Sequence, residues 1–263
     1  PTSDVVLTIT SDDTGEATLN SPLTFTSANW DTPQTVTVTG VDDGFVDGTI
    51  TSTITVAVDD ANSDDDFDSV ADQTVSVDTL DDDVAGFTIE ETDGSTEVDE
   101  SGSTDTFTVV LDAQPTSDVV LTITSESTTE ASVNPSSVTF TSENWDTPQT
   151  VTVTGVDENV VDGDQTTNIT IAILDTASDD NFDDLADQTV SVDTLDDDVA
   201  GFTIEETDAA TEVDEAGSTD TFTVVLDAEP TSDVVLTITS DDTGEATVPA
   251  SVTFTAADWD TPQ

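Results

Sequence analysis

The sequence predicts an all-β protein: a linear array of tandem immunoglobulin-like β-sandwich repeats, each of roughly 115 residues. Three observations point there. Apolar residues alternate with Thr at a period of two: Val5, Leu7 and Ile9 with Val6, Thr8 and Thr10; Phe107, Val109 and Leu111 with Thr106, Thr108 and Val110. No stretch carries a helical period. Whole strings also recur: PTSDVVLTIT begins at Pro1 and Pro115 and returns at Pro230, WDTPQ begins at Trp30, Trp145 and Trp259, and DDDVAGFTIEETD begins at Asp81 and Asp196.

Within the complete repeat, strands are expected near 87-91, 96-99, 105-112, 118-125, 131-133, 138-141, 149-156, 167-174 and 189-195. The run at 105-112 carries the Phe107 alternation. That at 118-125 repeats the Val5, Leu7, Ile9 pattern, and 167-174 places Ile169, Ile171 and Ile173 on one face. Clusters of Asp, Gly, Pro and Ser punctuate the runs, as turns require. β-branched Thr suits the solvated face. The Trp that recurs in FTSANWD, FTSENWD and FTAADWD is read as a core or sheet-edge plug, and Phe67 and Phe182, set among aspartates, as loop anchors under the sandwich end. The sequon at Asn168-Ile169-Thr170 falls inside a strand and is read as unused.

The repeats divide the chain into 1-83, the C-terminal part of a module; 84-198, a complete sandwich; and 199-263, the N-terminal part of a third. The simplest reading is a window on a longer array, in which neighbouring repeats of the same chain are the first partners.

Composition narrows the function. The 263 residues include 61 Asp or Glu and no Lys, Arg or His, for a formal charge of -61. Two like charges 4 Å apart repel by about 1 kcal/mol even in water, so neutralising cations must come from outside the chain. Nucleic acid and anionic membranes are recognised through Lys and Arg and are poor partners. Without Cys there are neither disulfides nor thiolate metal sites. Without His, Cys, Lys, Arg or Tyr, acid-base catalysis would rest on carboxylates alone, and no unrepeated acid pair stands out, so no enzyme is expected.

The acids concentrate at element ends. One group is the triple Asp81, Asp82, Asp83, repeated as Asp196, Asp197, Asp198. A second is the loop with Asp42, Asp43 and Asp47, matched by Asp157, Glu158, Asp162 and Asp164. A third is the Glu of VDESG and VDEAG, Glu100 and Glu215. Calcium takes six to eight oxygen ligands at about 2.3–2.6 Å from such flexible acidic loops, whereas magnesium prefers fewer protein ligands in strict octahedral geometry. Several Ca2+ ions at module tips and junctions are therefore expected. The segment Asp157 to Asp164 departs from EF-hand spacing by one residue and is flanked by strands, which excludes that motif.

These residues resemble the Calx-beta domain, especially the copies in very large repetitive bacterial surface proteins. The resemblance extends through every repeat, and the terminal Asp triple before a small residue and Gly is its most specific element. It implies a β-sandwich with a calcium cluster at one tip. The matching positions are Glu100, Glu130, the pair Asp157 and Glu158 with Asp162, and Asp196 to Asp198; in the leading copy they are Glu16, Asp42, Asp43, Asp47 and Asp81 to Asp83. The chain departs from the family pattern where a further Glu follows in the acidic loop: Gly48-Thr49-Ile50 and Gly163-Asp164-Gln165 stand there instead.

The function expected from tandem copies is a structural spacer or stalk in a giant extracellular adhesin or surface filament, stiffened by Ca2+ at module junctions, in a prokaryote of marine or saline habitat. Between the Pro1 and Pro230 copies 27 of 34 residues are identical, which suits a spacer whose length matters more than any one face. The alternatives are an adhesion module binding glycan or ice through Thr-rich faces, and a fibre subunit that assembles with other copies of the chain.

Overall fold

The computed structural model describes residues 1–263, 42% of them in strands and 6% in short helical turns. The strands in chain order are β1 (Val5–Ser11), β2 (Ala17–Leu19), β3 (Leu23–Phe25), β4 (Val38–Gly40), β5 (Ile50–Val58), β6 (Gln73–Thr79), β7 (Phe87–Glu91), β8 (Thr96–Asp99), β9 (Thr104–Leu111) and β10 (Val119–Ser125). They continue as β11 (Ala131–Asn134), β12 (Ser137–Phe140), β13 (Gln149–Gly155), β14 (Gln165–Ile173), β15 (Gln188–Leu195), β16 (Phe202–Glu206), β17 (Phe222–Leu226), β18 (Val234–Thr237) and β19 (Ser251–Phe254). All nine runs expected between 87 and 195 are strands, their ends shifted by at most about two residues.

β7 to β15 form a two-layer sandwich, one layer ordered β12-β10-β14-β15-β8 and the other β11-β13-β9-β7. The period-two pattern dictates the packing. Phe107, Val109 and Leu111 on β9, with Val151 and Val153 beside them on β13, face Val119, Leu121 and Ile123 on β10 and Ile169 and Ile171 on β14, all buried in one cluster. Register keeps each apolar set on one side: Phe107 lies opposite Val151, and Ile123 opposite Ile171. Each fully buried side chain of this size contributes about 1.5–3 kcal/mol. Most pairings are antiparallel; the exception is β8 with β15, which run parallel with Thr96 opposite Val192 and Asp99 opposite Leu195.

Before this sandwich, β3-β1-β5-β6 form a sheet and β2 pairs with β4; after it, β16 pairs with β17 and β18 with β19. These repeat the order of β10 to β15 and of the first strands of the sandwich. Identical sequence does not give identical structure. QTVTVTG is strand throughout at 149–155, where β9 and β11 flank it, but only its last three residues are strand at 34–40. Phe87 is buried whereas Phe202, its counterpart, is 52% exposed.

Between β14 and β15 the chain makes two short 3-10 turns, Asp175–Ala177 and Asp180–Phe182. Phe182 is fully buried in the core cluster, the anchor its sequence position suggested, while Phe67 is half-buried. The turn is pinned by buried Asp179, whose carboxylate accepts from the Thr116 hydroxyl (2.7 Å) and the Ser117 and Asn181 amides (2.8 and 3.1 Å). Asp64 repeats the arrangement on Thr2 and Ser3. Trp145 packs on the core edge, whereas Trp30 is exposed. Asn168 lies in β14 and donates to Glu126 (3.0 Å). No helix is long and apolar enough to cross a membrane.

Candidate metal centre

Four separate stretches deliver carboxylates to one end of the sandwich: the residue after β8, the loop before β11, the loop between β13 and β14, and the residues after β15. Chain direction explains this, because β8, β13 and β15 all finish there and β14 starts there. β8 and β15 run side by side in parallel, and the Glu100 amide continues their ladder by donating to the Leu195 carbonyl (3.1 Å), which sets Glu100 beside Asp196. Gly155 at the end of β13 is required at this point. A β-carbon there would overlap the Asp99 carbonyl, so only glycine lets the corner that carries Glu100 close over the strand.

Glu100 is the centre of the arrangement. It is completely buried, and neither carboxylate oxygen has a hydrogen-bond partner. Its ligand atoms come within 4.8 Å of those of Asp196 and Asp198 in one group, and of Glu158 and Asp162 in another. Two oxygens on one calcium ion stand at most about 5 Å apart, so both groups have the compactness a shared cation demands. Burial pushes Glu100 up to about 7, with the charges of Asp196, Glu158, Glu130 and Asp162 adding to the effect. Glu130 is also raised, by burial and then by Asp162, and one of its oxygens is buried without a partner. Burial, followed by Glu130, Asp162, Asp198 and Glu229, raises Glu158; burial and then Asp196 and Asp197 raise Asp198, which has its own buried, unpartnered oxygen.

The predicted residues divide into roles. Glu100, Glu158, Asp162, Asp196 and Asp198 form the two groups, with Glu130 at their margin. Asp196 also braces the backbone, accepting from the Gly163 amide (2.7 Å) and the Asp198 amide (2.8 Å). Asp164 accepts from the Asp196 amide (3.2 Å) and so holds the triple in place. Asp157 and Asp197 are exposed and outside both groups.

In the leading segment, Glu16, Asp43 and Asp47 form a third group with the same 4.8 Å compactness. Asp81 accepts from the Asp47 and Gly48 amides (3.0 and 2.7 Å), and these bonds, that from Gly48 foremost, hold it below the usual carboxylate range. Burial first, then neighbouring carboxylates, raises Glu16, Asp47 and Asp83. Asp42 and Asp82 stay exposed outside the group. Glu215, the trailing counterpart of Glu100, is exposed.

No family model matches the chain, and no curated protein does. Among solved structures it is similar to domains 4 and 5 of the S-layer protein SbsC, at 20% identity over 72% of this chain and 70% of that one, with a TM-score of 0.35. Domains 4-9 of the same surface layer protein match at 18% identity over 90% of this chain and 31% of theirs, with a TM-score of 0.34. SSP-19, an MSP-domain protein like family member in Caenorhabditis elegans, matches at 15% identity over 39% of this chain and 92% of that one, with a TM-score of 0.26. Superpositions this loose carry no weight in the functional reading, which rests on the carboxylates.

One contact escaped the sequence reading. The acidic loops touch the segment that follows them: Phe45 forms a parallel bridge with Gln114, and Val160 forms one with Glu229. The sequence signal was an apolar pair, Phe45-Val46 and Val160-Val161, set between acids in an otherwise solvated loop.

Proposed function

We propose that this chain is a spacer of an extracellular or cell-surface filament, built from tandem Calx-beta-like sandwiches of roughly 115 residues, with calcium ions bound at one end of each. The cation reading is carried by Glu100. A buried carboxylate with two unpartnered oxygens is costly, and the chain has no Lys, Arg or His to neutralise it. Protonating Glu100 would remove one charge and leave Glu130, Glu158, Asp162, Asp196 and Asp198 crowded around the same point. A divalent ion relieves all of them together.

Donor chemistry selects the ion. Only oxygens are on offer, which disfavours zinc and the later transition metals, and several flexible carboxylates fit calcium better than octahedral magnesium. Glu100 belongs to both groups, so it would hold a cation together with Asp196 and Asp198 or with Glu158 and Asp162. Calcium, when bound, would supply positive charge where the four chain stretches converge. The residues themselves supply the frame: Asp164 and the Gly163 amide fix Asp196, and the parallel ladder fixes Glu100. Stiffening of successive segments, as a stalk needs, follows from closing this end.

Titration calorimetry on the whole chain tests the proposal. Calcium is expected to bind with released heat and several ions per chain, magnesium more weakly, and Glu100→Gln is expected to lose the central sites while keeping the Glu16 group. A flat calcium titration of the unaltered chain would overturn it.

A second reading, adhesion through a hydroxyl-bearing face, is favoured by one observation. On the solvent side of the β9 and β13 layer, Thr104 lies opposite Thr154, Thr106 opposite Thr152 and Thr108 opposite Thr150, giving three stacked Thr pairs. Retention of the chain on ice or on a glycan panel, lost on changing Thr106 and Thr152 to Val, would support that role; no retention on either would dismiss it.

A further inference from the structure

The loops that carry the candidate ligands are also the parts that reach the next segment. At the first joint the Val46 amide donates to the Gln114 carbonyl (3.0 Å) and the Gln114 amide to the Gly44 carbonyl (2.8 Å). The Asn181 side-chain amide donates to the Val46 carbonyl (2.7 Å), and the Val46 side chain packs against the core of the central sandwich. At the second joint the Val161 amide donates to the Glu229 carbonyl (3.2 Å) and the Glu229 amide to the Asn159 carbonyl (2.6 Å). Val161 there lines an apolar concavity with Phe202, Leu226 and Ala228. The contact is thus made twice in one chain with the same main-chain pattern. Because these bonds are backbone to backbone, the pattern survives the change from Gln114 to Glu229.

We infer that residues 44–46 and 159–161 are plugs that dock into a socket on the following repeat, formed by the Ala113-Gln114 and Ala228-Glu229 corners, and that cation binding sets how firmly each plug is seated. The plugs sit directly between the candidate ligands: Asp43 and Asp47 flank the first, Glu158 and Asp162 the second. A loop fixed at both flanks by a shared ion presents its apolar centre in one conformation. The same loop without the ion is spread by repulsion between those flanks and loses the register its bridge needs. The partner of this surface is therefore the next repeat of the same chain. Only the switching rests on the cation reading above; the plug and socket rest on the bonds and packing just described.

The chain has no Cys, so spin labels can be placed at will on exposed strand positions of the full chain. One pair, at Thr51 and Thr150, reports the first joint; a second, at Thr150 and Thr253, reports the second. With calcium, each pair is expected to give one narrow distance distribution. Val46→Ser, which adds no charge, is expected to abolish the narrow distribution at the first joint and spare the second; Val161→Ser is expected to do the reverse. Calorimetry on the same variants is expected to show unchanged calcium stoichiometry, which establishes that the loops still bind ions. Chelation of the unaltered chain is expected to broaden both distributions. Narrow distributions that persist in both Ser variants with calcium bound would overturn the plug and leave the cation reading standing. If calcium does not bind at all but the Ser variants still broaden their joints, the plug stands and the cation reading falls. Distances in the unaltered chain that ignore calcium despite measured binding would overturn the switching.

Discussion

Gly155 lies against the backbone of Asp99 so closely that a β-carbon on it would overlap the Asp99 carbonyl. This contact joins the end of β13 to the corner after β8 and brings Glu100 beneath the acidic loop. One residue without a side chain thus decides where the most buried charge of the molecule sits.

Gly155→Ala is therefore expected to push the corner outward. Overpacking of this kind costs about 1–3 kcal/mol, to be read from urea unfolding, and calcium affinity should fall with it because Glu100 leaves both groups. Gly163→Ala, where φ is +78° and no atom lies within 4 Å of the added carbon, should cost about 1 kcal/mol through backbone strain and shift calcium binding less.

The pH dependence of the ion-free chain follows from Glu100. Its folded value is about 7 against an ordinary 4.5, so the folded state binds its proton more tightly than the unfolded state does. The resulting destabilisation begins as pH rises above the ordinary value and is complete above the folded one. Melting temperature in chelator is expected to fall between pH 5 and 8, and to fall less in Glu100→Gln. Saturating calcium should abolish the trend by displacing the proton. An ion-free melting temperature independent of pH over that range would contradict the burial of this charge.

Removing calcium from the unaltered chain at pH 7.5 is expected to lower the melting temperature and lengthen the list of cleavages by a Glu-specific protease. Glu100 and Glu130, buried or half-buried in the closed site, should become accessible as the end of the sandwich opens. Trypsin makes a clean negative control, since the chain has no Lys or Arg even when unfolded.

Asp179→Ala is expected to destabilise the central sandwich by about 2–3 kcal/mol, because the Thr116, Ser117 and Asn181 donors lose a charged acceptor. Burial alone would raise Asp179, but these bonds together hold it below the ordinary range. Its contribution is thus full above the ordinary aspartate value and is lost as pH falls through the lower, folded one. Calcium affinity at the other end should be unchanged, which separates this staple from the Glu100 carboxylate groups.

The strand pattern was readable because alternation is local: Phe107, Val109 and Leu111 need only their own sequence to commit to one face. What sequence could not convey is which strands have neighbours. QTVTVTG at 34–40 and at 149–155 is one string with two outcomes, set by whether flanking strands complete the ladder. The acids were legible as a set through their repetition at strand ends, but their roles were not. Asp196 and Asp164 act partly on backbone amides and Asp197 turns to solvent, distinctions that depend on loop geometry. The docking of Val46 and Val161 was missed because an apolar pair in a loop gains meaning only when its distant receiver is in place.

The parallel pairing of β8 with β15 has a mechanical corollary. β15 is the last strand of the sandwich and β8 its second, and the two run the same way, so a pull that reaches both drags them past each other lengthwise. Every rung between Thr96 and Asp99 is then loaded at once, rather than peeled one by one from an end. Under tension such a unit yields at a rate set by simultaneous rupture of the whole clamp.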